Sequence, residues 1–172
     1  MDMDTDMDTD VDTEKPTQLV EYETMLLGRH FIMTARAKGD EGFLDSSSYV
    51  LLSRLRIQGP MSLRLLSEAF GLDVSTLNRK TAALQRDGLL ERIPDDEGGI
   101  ARKFRLTAEG ERRLDHERSA TVNGLEKVLE DWSAEDVARF ADYLLRFNRR
   151  VEDLVGRPWP RVGDAKAGDD AD

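Results

Sequence analysis

The sequence predicts a mainly α-helical fold with one small β-hairpin, in the order α-α-α-α-β-β-α-α. Three observations carry that expectation. Apolar residues recur at three- and four-residue spacings through most of the chain, as a helix with one buried face requires. The period changes to alternation in two places, Leu89-Leu90-Glu91-Arg92-Ile93 and Lys103-Phe104-Arg105-Leu106, which read as half-buried strands. Capping and stopping residues punctuate the rest at intervals suited to separate helices.

The first helix is expected over 16–38. Pro16 suits a first turn, Leu19, Tyr22, Leu26, Leu27, His30 and Met33 recur on one face, and Gly39 ends it. A second helix over 45–58 has Asp45 or Ser46 as its N-cap. Tyr49, Leu52, Leu55 and Arg56 follow, and Gly59-Pro60 closes it. Ser62 caps a short third helix that offers Leu63, Leu66 and Phe70 for burial before Gly71. Asp73 is the expected cap of a fourth helix, 74–86, ending at Gly88. The two strands follow, with PDDEGGIA as the turn between them. Thr107 is expected to cap a long fifth helix, 108–130. Ser133 to Asp136 resembles a capping box, with Asp in place of the usual Glu, and opens a sixth helix over 134–154. Val137, Phe140, Leu144, Phe147 and Val151 are its apolar positions.

A chain of 172 residues with 39% hydrophobic content suits one globular domain, here 16–154. No apolar run is long enough to cross a bilayer and the N-terminus lacks an apolar signal segment, so a cytoplasmic protein is expected. Cysteine is absent, which removes disulfides, thiolate metal sites and thiol redox sensing together. The net charge of −10 looks adverse to an anionic partner until it is located. Residues 1–14 carry seven acids and no base, and residues 163–172 four acids and one lysine, so 15–162 is neutral overall. Residues 54–105 carry ten Arg or Lys against seven Asp or Glu. The ends, 1–15 and 155–172, are read as disordered acidic tails, since neither can bury a face. A calcium loop is the sharper reading of the Asp alternation, but the glycine and glutamate that an EF-hand loop needs are not in place.

The fourth helix carries the chemistry. Leu77, Ala82 and Leu84 supply an inward stripe, while Ser75, Thr76, Asn78, Arg79 and Lys80 cluster near its start. Asn pairs bidentately with adenine, Arg with guanine, and Ser or Thr with bases or phosphates. A polar first turn is also what any solvated helix shows, so the context decides. A short helix precedes it, a glycine-containing turn joins the two, and Arg92, Arg102, Lys103 and Arg105 lie on the hairpin, suited to phosphate contacts. The expected architecture is therefore a winged helix-turn-helix with its DNA-binding lobe at 59–107 and double-stranded DNA as partner.

Residues 16–154 resemble the MarR (multiple antibiotic resistance regulator) family of bacterial transcription factors, most strongly in DGLLERIPDDE and LTAEG. The resemblance implies a sequence-specific regulator, with repression the expected direction. It implies a homodimer held by terminal helices (16–38, 108–130 and 134–154) on a palindromic operator, with 74–86 as recognition helix. One departure stands out. The family's wing commonly continues with Asp-Arg after P-D-x-E, whereas this chain has Gly98 and Gly99. The exchange takes a cation from the wing tip and leaves Arg102 as the available substitute.

The apolar positions of the long helices, among them Leu125, Val128, Leu129 and Trp132, exceed what one small winged domain needs, which agrees with a dimer. Family members often bind a small aromatic ligand between the dimer helices and the DNA-binding lobe. Arg29, His30, Met33 and Tyr49 are the candidate positions here, with ordinary core or interface roles as the alternative. No nucleotide-binding glycine motif or nucleophile elbow is present. The two histidines, His30 and His116, lack metal-ligand spacing, so neither enzyme activity nor a cofactor or metal is expected. The competing class is a winged-helix protein-interaction module with weak or no DNA binding.

Overall fold

The computed structural model of the chain describes residues 15–37, 44–94 and 102–161, with the side chains of 31–37 excepted. The chain divides into two units, residues 1–42 and residues 43–172. The described part of the first is one helix, α1 (Pro16–Ala37). Lys15 N–H donates to Gln18 Oε1 at 2.6 Å, closing the first turn around Pro16, which has no N–H to satisfy. Leu19, Val20, Tyr22, Met25 and Leu27 stand exposed along it.

The second unit runs α2 (Ser46–Gln58), β1 (Met61–Ser62), α3 (Leu63–Phe70), α4 (Val74–Arg86), β2 (Leu90–Pro94), β3 (Arg102–Leu106), α5 (Ala108–Val128) and α6 (Ala134–Val155). The expected order lacked β1. This strand is two residues long and pairs antiparallel with β3, Met61 opposite Phe104, making a three-stranded sheet in the order β1-β3-β2. A strand so short has no alternation to read, and only the partner strand reveals it. On the other side of β3, Leu90 opposes Leu106 and Arg92 opposes Phe104.

The core fills the space between this sheet and α2 to α5. Leu52, Leu66, Leu77, Phe104 and Leu114 are each at most 2% exposed. In α2 the inward face is Leu51, Leu52 and Leu55 together with Arg54, while Tyr49 and Arg56 are half-buried. Asp45 is the α2 cap: its Oδ1 accepts the N–H groups of Ser47 and Ser48.

The hairpin is fastened to α5 at one point. Thr107 caps α5, and its hydroxyl also donates to Gly88 O at 2.6 Å, while its N–H donates to Leu89 O at 3.1 Å. Gly110 makes this approach possible. A Cβ there would lie 2.2 Å from Leu89 O, closer than any side chain tolerates.

The far half of α5 and all of α6 are different in kind. Val122, Leu125 and Val128 of α5 are exposed, and no residue of α6 is fully buried. Trp132, in the turn between them, meets Phe140 edge-on with centroids 5.5 Å apart. The end of the chain also departs from expectation. A disordered tail was expected from residue 155, yet the chain turns at Gly156 and residues 157–161 lie packed against α2 and α3. Trp159 is the physical reason, since an aromatic ring gains from burial even in a polar segment. The expectations for the N-terminal tail, the stop at Gly39, the wing tip Gly98-Gly99 and the chain beyond 161 lie outside the described residues.

Candidate nucleic-acid interface

The site is built on the pair α3 and α4. Ser62 caps α3, its hydroxyl accepting Leu65 N–H. Gly71 ends it in the left-handed conformation at φ 62°, which favours glycine. The turn that follows is pinned from inside: Ser67 Oγ donates to Leu72 O at 2.6 Å and Ser67 O accepts Gly71 N–H at 2.9 Å. These bonds fix the direction in which α4 leaves. Asp73 precedes α4 as its N-cap but makes no side-chain capping bond. The first N–H groups of α4 are therefore not taken up by that carboxylate, and such groups favour anions.

Within α4, Leu77, Thr81 and Leu84 face the core. Thr81 is fully buried and satisfied, its hydroxyl donating to Leu77 O at 2.9 Å. The opposite stripe carries Ser75, Asn78, Arg79 and Arg86, all exposed, with Thr76 half-buried beside them. Neither Arg79 nor Arg86 has an ion-pair or hydrogen-bond partner among the described residues. Arg86 was not among the expected contacts. It sits eleven residues after Ser75, close to three helical turns, and that spacing was the signal available.

Lys80 departs from the expected cluster. Its ammonium lies 2.7 Å from both carboxylate oxygens of Asp45, so it ties α4 to the start of α2 and faces inward. Partial burial pushes the Asp45 carboxyl up, but the Lys80 ammonium and the hydrogen bonds from Ser47 and Ser48 outweigh it. Together they hold that carboxyl well below the usual carboxylate range.

The wing cations are also divided. Arg105 donates through Nε and Nη2 to Glu91 Oε1, at 3.0 and 2.7 Å, which cancels a charge on the sheet surface. Arg92 lies over the Phe104 ring, 5.1 Å from its centroid. Lys103 is half-buried in β3. Arg102, exposed at the first residue of β3, has no partner among the described residues. Free positive charge on the described surface of the lobe thus includes Arg79, Arg86 and Arg102.

The four candidate ligand positions fall in two units. Arg29 and His30 lie on α1 in the first unit, Tyr49 lies on α2 in the second, and the Met33 side chain is outside the described residues. Within the second unit, Tyr49 lines an open cleft of about 710 Å³ with Ser53, Arg56, Arg118, Trp159 and Arg161. No group of acidic or histidine side chains suited to a metal ion occurs among the described residues.

The model of the MarR family matches residues 44–98. The HTH-type transcriptional regulator YxaD of Bacillus subtilis (strain 168) is 33% identical over 138 residues, covering 80% of this chain and 96% of that relative. Among solved structures, a MarR family protein from Bacillus stearothermophilus superposes with a TM-score of 0.67 at 22% identity, covering 78% of this chain and 96% of the other. Streptococcus pneumoniae FabT in complex with DNA gives 0.65 at 17% identity, covering 80% and 98%.

Proposed function

The chain belongs to the MarR family of transcriptional regulators, and from that premise we propose that it binds a palindromic operator in the cytoplasm as a homodimer and represses transcription. The observation that carries the reading is the outward stripe of α4. Ser75, Asn78 and Arg79 present a hydroxyl, an amide and an unpartnered guanidinium on one face, while Leu77, Thr81 and Leu84 anchor the other. Such a helix can enter the major groove without exposing its apolar side. Arg86 and Arg102 then serve the phosphate backbone.

The dimer is supported by exposed apolar side chains. Phe140, Tyr143, Leu144, Phe147, Val151 and Leu154 repeat along one face of α6, and Leu125 and Val128 extend the pattern on α5. Leaving that much apolar surface in water is costly, at roughly 25 cal/mol for each Å². Helices 16–38, 108–130 and 134–154 are accordingly the proposed dimer elements. A small aromatic effector is part of the same proposal. It is supported by the cleft beside Tyr49, where the Trp159 ring and the Arg118 guanidinium offer stacking and a cation.

Selection of bound fragments from genomic DNA, followed by a salt titration, tests the regulator reading. We expect an inverted repeat with half-sites about one helical turn apart. Binding should weaken steeply as salt rises. No selected sequence, together with flat salt dependence, would assign the lobe to protein interaction instead.

A further inference from the structure

The segment after α6 belongs neither to the DNA-reading stripe nor to the exposed apolar face, yet it is tied to the helix-turn-helix lobe by four separate contacts. Trp159 meets Phe70 of α3 edge-on at 5.4 Å. Its ring also lies under the Arg54 guanidinium of α2, 4.6 Å from the centroid. Arg54 Nη1 donates to Pro158 O at 3.1 Å. Arg157 rests on Gly71, in the turn before the recognition helix, where a Cβ would come within 2.6 Å of its Cζ. From the other side the segment is stapled to α6. Arg161 donates to both oxygens of Glu152, at 2.9 and 2.6 Å, and Trp159 N–H donates to Glu152 Oε2 at 3.0 Å.

Arg54 shows that the lobe depends on this segment. It is 7% exposed, and burial alone pushes its pKa down. A buried guanidinium needs partners. Within α2 it has only Gln58, to whose Oε1 its Nε donates at 2.7 Å. The ring and the carbonyl come from Trp159 and Pro158, and the nearby Glu152 charge from α6. Meanwhile no residue of α6 is fully buried. A direct link between the two runs through residues 157–161.

We propose that residues 157–161 are a positioning strap, with Trp159 as its anchor, which fixes the helix-turn-helix lobe at a set angle to α6. The strap rests on the regulator reading for its consequence: if α6 joins two protomers, the strap sets how far apart their recognition helices stand. Trp159 and Glu152 touch no DNA and act as positioning residues, through α2, α3 and the turn at Gly71.

The chain has no cysteine, so two introduced thiols are unique labelling sites. Spin labels on Arg64→Cys in α3 and Asp142→Cys in α6 report the lobe-to-α6 distance within one protomer, when labelled full-length chain is diluted into excess unlabelled chain. The parent should give a narrow distance distribution and Trp159→Ala a broad one, with Trp159→Phe restoring the narrow one. Glu152→Ala keeps the tryptophan in the lobe and removes the acceptor that staples the segment to α6, so it should broaden the distribution even if Trp159→Ala folds poorly. On unlabelled protein the released variants should bind the selected operator roughly tenfold more weakly, as expected when about a tenth of the molecules hold the competent geometry. They should also discriminate less against operators whose half-sites are moved by one base pair, which simple loss of stability would not cause. Unchanged distributions in folded Trp159→Ala and Glu152→Ala would overturn the strap. So would broadened distributions with unchanged spacing discrimination. If the parent selects no DNA at all, the regulator reading fails, while the label distances still decide whether the strap holds the lobe.

Discussion

Single side chains in this lobe divide sharply between those that face outward and those held within it. Arg79 is exposed and unpartnered, so its removal should leave the fold intact and act on recognition. Arg79→Ala is expected to cost about 1–3 kcal/mol of discrimination between the selected operator and a variant at one base pair, measured by competition binding. Equal loss on every sequence would make Arg79 a phosphate contact instead. Asp45 is the contrasting case, because it caps α2 and holds Lys80 of α4 at once. Asp45→Ala should lower stability by about 0.5–2 kcal/mol in urea denaturation, the usual range for a lost cap. The pH dependence has a definite sign. Both Asp45 and Glu152 have folded pKa values below their unfolded ones, Glu152 being held down to about 2 by the Arg161 guanidinium and the Trp159 N–H. Their stabilisation is therefore complete above about pH 5 and is lost as the pH falls toward 2. The urea midpoint of the parent should fall over that window, and less so for Asp45→Ala.

At the scale of elements, the junction of hairpin and α5 makes the strongest demand on one residue. Gly110→Ala places a methyl group against Leu89 O, at a distance of 2.2 Å if nothing moves. We expect a loss of about 1–3 kcal/mol from the strain of overpacking, read as a lower thermal midpoint, and misplacement of the wing relative to α4. That junction also shows what could be read from the residues alone. Capping at Ser62, Thr107 and Ser133 was legible because a hydroxyl before a periodic run has one common use. The inward stripe of α4 was legible from Leu77 and Leu84. β1 was not, because two residues carry no period and their strand character comes entirely from Phe104 and Lys103 across the ladder. The inward turn of Lys80 was not legible either, since its partner is Asp45, thirty-five positions away. The docked end of the chain was missed for the same reason. Trp159 sits in a polar segment, and Arg54 and Phe70, which receive it, are near only in space.

For the whole molecule, the exposed face of α6 makes oligomeric state the decisive property. Phe147 is 51% exposed in the single chain and stands at the middle of that face. Phe147→Glu should convert the proposed dimer to monomer in sedimentation at micromolar concentration, because two carboxylates would then enter an apolar contact unpaired. Operator binding should fall with it, while the lobe keeps its fold. The pairing of Arg54 with Pro158 has a consequence for how the molecule folds. The two are 104 positions apart in sequence. Closing so long a loop is slow beside the formation of local helices, so the buried guanidinium should gain this partner late in folding, after the helices of the lobe have formed around it.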